Sequence, residues 1–139
     1  MLIRKASESD AEAAFSLVKE DGANSFSADD FRGAAVHKNA IFLVAEEDSI
    51  VGYIIGFICP TKGSDCMLAE TRVKKLHRRQ GIGNKLADVF CEEAFRMGAT
   101  HVFAEVDEKD TEFYSKNGFS KSNKWIEMVK KKLSASHNI

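Results

Sequence analysis

Proline and tryptophan each occur once in these 139 residues, and cysteine occurs three times. No apolar run approaches the ~18–20 residues needed to span a bilayer. Each shortage excludes something. The lone proline, Pro60, falls in a loop, and no repeat, low-complexity tract or linker-like segment divides the chain. Cys59, Cys66 and Cys91 lie far apart, without paired metal-ligand spacing, and their odd number argues against a full disulfide framework. His37, His77, His101 and His137 are equally scattered, so no metal site is expected. Neither sign of charge dominates: 20 basic residues face 21 acidic ones, for a net charge of −1. Nucleic-acid binders usually carry a basic excess, so no nucleic-acid partner is expected, and no membrane partner either. The start, Met1 to Lys5, runs at once into the polar Ser7-Glu8-Ser9-Asp10, which is not signal-peptide chemistry. The expectation is one cytoplasmic domain over residues 1–139, in a compartment that keeps thiols reduced.

What is present is periodicity. Met1–Ala6 reads as a short strand. Ser7 to Asp10 supplies helix-start chemistry for a helix to about Glu20, with Ala11, Ala14, Phe15 and Val18 at helical spacing. A second short helix is capped by Ser27. Strands are expected at Ala40–Ala45 and Ile50–Cys59, joined by a Glu46–Ser49 turn. The second of these is almost wholly apolar and should be buried on both faces. Its Gly52 and Gly56 suggest a bulge or close helix packing. Cys66–Lys74 is a strand whose imperfect alternation fits a bend or bulge. A helix from Asn84 to Met97 follows, stopped by Gly98. Then come a strand at His101–Val106, a short helix at Asp110–Lys116, a last strand at Trp125–Val129, and a frayed tail.

The most informative stretch is Arg78-Arg79-Gln80-Gly81-Ile82-Gly83-Asn84. Two glycines between basic residues, opening a helix, make a cradle for phosphate. Glycine lets the backbone approach a ligand, and a helix start offers unpaired N–H groups and the positive end of a dipole. Each charge-assisted bond from such a group is worth roughly 1.5–3 kcal/mol. The chain lacks the glycine-lysine-serine/threonine ending of a nucleotide-hydrolysing loop and the three-glycine dinucleotide fingerprint. Taken alone, the loop also fits a plain helix start after a glycine turn.

The spacing Arg78-x-x-Gly81-x-Gly83, with Val73 eight residues before Gly81 and Phe113-Tyr114-Ser115-Lys116-Asn117-Gly118-Phe119 further on, resembles the GCN5-related N-acetyltransferase (GNAT) superfamily. The element order matches that family from Met1 to about Lys132. The resemblance implies an α/β fold: a mixed, mostly antiparallel sheet of six to seven strands, flanked by about four helices and splayed between strands four and five. It implies acetyl-coenzyme A (acetyl-CoA) as cosubstrate, with its pyrophosphate on Gln80, Gly81, Ile82, Gly83 and Asn84. Arg78 and Arg79 would meet the pyrophosphate or the 3′-phosphate. Thr71, Arg72 and Val73 would lie along the pantetheine arm. The chain departs from the family at Asp107, where many members have a pantetheine-contacting asparagine, at Asp110 in place of alanine, at Lys75 in place of proline, and at Met67 in place of a histone-type acid. These departures suggest a divergent branch.

Acyl transfer to an amine poses three problems. A lysine-like amine has a pKa near 10.4, so holding it neutral at pH 7 costs about 4.6 kcal/mol. Glu70 and Glu105 are the candidate bases, though strand-end glutamates are also commonly solvated. The carbonyl needs polarising, and by resemblance backbone N–H groups near Val73 do this. The leaving thiolate needs a proton, and Tyr114 sits where the family keeps a proton-donating tyrosine. A tyrosine packed at the core edge is the plainer alternative.

The expected activity is direct transfer of an acetyl group to a primary amine in a ternary complex, since no cysteine is placed as an obvious relay. The alternative is a non-catalytic acyl-CoA-binding regulatory domain. The acceptor, a small molecule or a protein amine, would be set by the loop between the first two helices, which contains Asp21, Asn24, Phe26, Asp29 and Asp30. Dimerisation is common in the family, and nothing in this sequence demands it.

Overall fold

The computed structural model describes residues 1–59, 65–122 and 126–133. Strand β1 (Leu2–Lys5) leads into α1 (Ala11–Glu20) and α2 (Ala28–Val36). Then come β2 (Ala40–Glu46), β3 (Ile50–Cys59), β4 (Asp65–Val73), α3 (Ile82–Arg96), β5 (His101–Phe103) and α4 (Thr111–Lys116). The sheet order is β1-β2-β3-β4-β5. The first four strands pair antiparallel, and β5 joins β4 in parallel through the α3 crossover.

The helix starts follow their capping chemistry. Ser27 Oγ accepts from the Asp30 N–H at 3.1 Å, and Asp30 returns a bond to the Ser27 N–H at 2.9 Å, a reciprocal box that opens α2. At the other serine-aspartate pair, the Ser7 N–H donates to Asp10 at 2.8 Å.

The sheet is covered on both faces, so β2 and β3 are apolar almost throughout. Along β2, Ile41, Leu43 and Ala45 face α3, packing with Ile54, Leu86 and Phe90. Phe42 and Val44 face α1 and α2, packing with Phe31, Tyr53 and Val18. Burying side chains of this size contributes roughly 1.5–3 kcal/mol each. Gly56 lets α3 settle on β3. A Cβ there would stand 2.2 Å from the Met67 carbonyl oxygen and 2.4 Å from the Phe90 ring.

The β3–β4 register slips once. Ile55 faces Glu70 while Gly56 faces Leu68, leaving Ala69 as an extra residue in β4. Such a bulge bends its strand. The β4–β5 pairing stops just before it, covering only Asp65–Met67 against His101–Phe103. Beyond that point the two strands part, as expected for the fourth and fifth strands. The fifth strand is accordingly shorter than the expected His101–Val106.

The expected six to seven strands are not found: there are five among the described residues. Trp125, which was to open the last strand, and the Pro60–Ser64 loop lie outside the described residues. Ile126 to Val129 form no strand, and Ile126 and Met128 are 89% and 90% exposed. Among the described residues no helix is long and apolar enough to cross a membrane.

Candidate functional site

Where β4 and β5 separate, they leave a cleft of about 1360 Å³. Its floor is Ala69–Val73, its far wall Glu105–Asp107, and its ends are the start of α3 and the helix α4 with Tyr114. The loop into α3 holds two residues in the left-handed region, Arg79 (φ 64°) and Gly81 (φ 82°). Gly81 takes that conformation freely, whereas Arg79 takes it at a cost. Left-handed residues interspersed in a turn are the backbone pattern that can aim successive N–H groups to one side. No side chain caps the start of α3. Asn84 is tied elsewhere: its Oδ1 accepts from the Asn117 side chain at 3.0 Å, anchoring α3 to α4.

Alternation along β4 sorts its residues. The Lys74 N–H reaches the Val51 carbonyl at 2.8 Å. In an antiparallel ladder the N–H groups of Val73 and Thr71 then point away from β3, into the opening. Their side chains share the α3 face, because Thr71 sits opposite Ile54 and Val73 opposite Gly52. Glu70 and Arg72 take the other face, opposite Ile55 and Tyr53.

On that second face lies an ionic network. Glu70 accepts from the Tyr53 hydroxyl at 2.7 Å, from Ser25 Oγ at 2.8 and 3.0 Å, and from the Arg72 guanidinium. Arg72 also donates to the Tyr53 oxygen at 3.1 Å and to Asp21. Burial alone would lower the Arg72 pKa, but Tyr53 and Glu70 outweigh it and raise it. Burial pushes the Tyr53 phenol up, and Glu70 adds to the shift. Asp21 feels burial in the raising direction, yet Arg78 and Arg72 hold its carboxyl below the usual range. Arg78 donates to both Asp21 oxygens, at 2.8 and 2.9 Å, and through Nε to the Val73 carbonyl at 2.7 Å. Three residues of the network come from outside β4: Asp21 and Ser25 from the α1–α2 loop and Tyr53 from β3.

The β5 side is different. Glu105 and Asp107 are exposed, and neither side chain has an ion-pair or hydrogen-bond partner among the described residues. Tyr114 is half-buried, its ring edge-on to Phe113 at 5.1 Å and to Phe119 at 5.4 Å. Burial, with the Asp110 carboxylate adding, raises its phenol above the usual range. It is therefore protonated at neutral pH. Burial likewise raises the thiols of Cys66, to about 12, and of Cys91. Neither offers a thiolate nucleophile.

The structure thus gathers the sequence-predicted residues Glu70, Thr71, Arg72, Val73, Arg78, Arg79, Gly81, Ile82, Gly83, Asn84, Glu105, Asp107 and Tyr114 around one cleft. Gln80 is exposed in the same loop. Arg78 is spent on Asp21 and Val73, while Arg79 carries no ion pair among the described residues. Sequence reasoning missed Tyr53 and Ser25. The signal for Tyr53 was its lone hydroxyl within the apolar run of β3, while nothing local marks Ser25. A smaller hollow of about 470 Å³ lies against α2, lined by Ser25, Phe26, Asp29 and Asp30, among others. Its carboxylates are already engaged: Asp29 with Arg32 at 3.1 Å, and Asp30 in the α2 cap.

The sheet parts at a bulged fourth strand, and a glycine loop opens the helix beside the split. Residues 6–119 match the family model described as "Acetyltransferase (GNAT) family", and the chain belongs to that family. No curated protein is significantly similar to it in sequence. Several solved structures share the fold. Glucosamine-6-phosphate N-acetyltransferase from Arabidopsis thaliana aligns with a TM-score of 0.73 at 21% identity, covering 94% of this chain and 97% of that one. A ribosomal-protein-alanine N-acetyltransferase from Brucella melitensis gives 0.74 at 19% identity, covering 94% and 99%. An aminoglycoside acetyltransferase from an uncultured soil metagenomic sample, in complex with sisomicin, gives 0.74 at 19%, covering 96% of each chain. The three act on a sugar phosphate, a protein and an aminoglycoside according to their names, so the fold alone does not select an acceptor.

Proposed function

We propose that this protein is an acetyl-CoA-dependent N-acetyltransferase that acetylates a primary amine by direct attack in a ternary complex. The observation that carries this reading is the cleft opened by the β4 bulge. It has an uncapped helix start at one end and the Tyr114 phenol on its wall. The residues present fit the cosubstrate. The α3 loop offers backbone donors and the free Arg79 for phosphate. The Thr71 and Val73 N–H groups face the opening and suit the amide-bearing pantetheine arm and the thioester carbonyl.

The two candidate carboxylates then divide the work. Every oxygen of Glu70 is already engaged by Tyr53, Ser25 or Arg72, so a proton arriving there must displace a partner. Its task is to hold the α1–α2 loop on β4. Glu105, whose oxygens have no partner among the described residues, takes the amine proton, directly or through water. Tyr114, protonated at neutral pH, gives its proton to the departing thiolate. The β4 wall positions, and the β5 side does the proton chemistry.

Thiol release tests the reading. The protein is incubated with acetyl-CoA and a panel of spermidine, a lysine peptide, an alanine-ended peptide, glucosamine 6-phosphate and sisomicin. Turnover with at least one amine, lowered about tenfold or more by Tyr114→Phe at unchanged acetyl-CoA affinity, is the expected result. Acetyl-CoA binding without turnover across a widened panel would favour a non-catalytic binding domain.

A further inference from the structure

Strand β4 carries a hydroxyl with no partner. Thr71 Oγ1 is buried and makes no hydrogen bond among the described residues. Leaving a buried hydroxyl unpaired is unfavourable, and valine would fill the same space without that cost. Thr71 lies on the α3 face of the strand, the face against which Tyr114 packs, and both residues line the cleft. Asp110 and Glu70, the charged groups that bear on the phenol, are both anions and can only hold its proton more tightly. Thr71 is the neighbour that acts in the opposite sense, although the two hydroxyls do not yet meet in good hydrogen-bond geometry.

We propose that Thr71 is a positioning residue for Tyr114: its hydroxyl donates to the phenol oxygen and stabilises the phenolate left when the proton passes to the departing sulfur. This rests on reading Tyr114 as the proton donor. In the step concerned, the carbon–sulfur bond breaks with its electron pair on sulfur. The Tyr114 proton moves to that sulfur and gives the free thiol. The phenolate, held by the Thr71 O–H, recovers a proton from solvent through the open cleft. A hydroxyl suits this task because it can accept in one state and donate in the next. It spends no part of itself on another partner in the meantime.

The chain has only two tyrosines, which makes the test direct. The full-length protein is labelled at tyrosine Cζ and titrated by NMR, without ligand. Tyr53, buried and bonded to Glu70, titrates well above the ordinary range and stays apart. Thr71→Val should move the Tyr114 midpoint upward by about one pH unit, and Thr71→Ser should leave it at the wild-type position. A wild-type midpoint in Thr71→Val overturns the proposal. Should that variant unfold before the phenol titrates, Thr71→Ala at neutral pH carries the test, with whichever panel amine turns over. The expectation is a kcat about tenfold lower at unchanged KM for acetyl-CoA, and no further loss once Tyr114→Phe is present. Equal losses in both backgrounds would make Thr71 merely structural. Wild-type turnover by Tyr114→Phe alone would instead sink the proton-donor reading, whatever the phenol midpoint shows.

Discussion

The two walls of the cleft carry a glutamate each, and the glutamates are in opposite conditions. Glu70 on β4 is held by three side chains drawn from separate parts of the chain, with its own side chain only 17% exposed. Glu105 stands just past β5, exposed and unpaired among the described residues. The difference follows from the sheet. β4 is an interior strand, flanked by β3 on one side and covered on its Glu70–Arg72 face by the α1–α2 loop, so the charged side chains of that face are paired. Glu105 lies two residues past the end of β5, outside the sheet, and its side chain has no partner among the described residues. On the proposed function, such a site separates rigidity from reactivity: the paired wall fixes geometry, and the unpaired wall offers an acceptor for protons.

The sharpest way to break that contrast is to neutralise each glutamate in turn. Glu105→Gln should lower kcat about 100-fold, with an unchanged melting temperature and unchanged acetyl-CoA affinity. Retained turnover would remove Glu105 from the chemistry. Glu70→Ala should show the reverse pattern. It leaves Arg72 and Tyr53 short of a partner in a half-dry setting and should cost about 2 kcal/mol in a denaturant melt. If stability is unchanged and turnover is lost, the roles of the two acids are exchanged.

A pair remote from the cleft gives a reference for the ionic wall. Arg4 donates to both oxygens of Asp10, at 2.8 and 3.0 Å, and with the Ser7 N–H it lowers the carboxyl from 3.8 to about 2. A carboxyl depressed on folding adds stability above its unfolded pKa and loses it as pH falls through the folded value. That contribution, on the order of 2 kcal/mol, should be complete above about pH 4 and gone near pH 2. Asp10→Asn should flatten the acid limb of a stability-versus-pH curve in that window. The smallest effect belongs to the exposed pair Lys116–Glu112, one turn apart on α4 at 3.1 Å. Lys116→Ala should change stability by no more than about 0.5 kcal/mol, and a larger loss would mean that α4 is held by more than its aromatic face.

What the sequence made legible was local. The helix start after the glycine turn, the α3 stripe of Leu86 and Phe90, and the Ser27 cap each depend on residues a few positions apart, and the structure has all three. Gly56 was readable as a site of a bulge or of close helix packing, and the structure has both there: the register slips beside it and the Phe90 ring lies against it. The ionic wall was not legible. Its members, Asp21, Ser25, Tyr53, Glu70 and Arg72, meet only once β3 and β4 are in register and the α1–α2 loop is folded down. Arg78 shows the same limit: its position beside Gly81 suggested phosphate, while its bonds run to Asp21 and Val73. The expected last strand fails for a related reason. Ile126, Met128 and Val129 have strand-forming side chains, but a strand also needs an edge to join, and sequence pattern does not supply one.

The central claim is that the α3 loop and the split between β4 and β5 together hold acetyl-CoA, and calorimetric titration tests it most directly. Wild-type protein and Gly81→Glu are titrated with acetyl-CoA and with dephospho-coenzyme A. The account predicts micromolar binding by the wild type, weaker binding without the 3′-phosphate, and none by Gly81→Glu, which places bulk and negative charge where φ is 82° and phosphate is to sit. Equal affinity of the two proteins for acetyl-CoA, or no binding by the wild type at millimolar concentration, would contradict it.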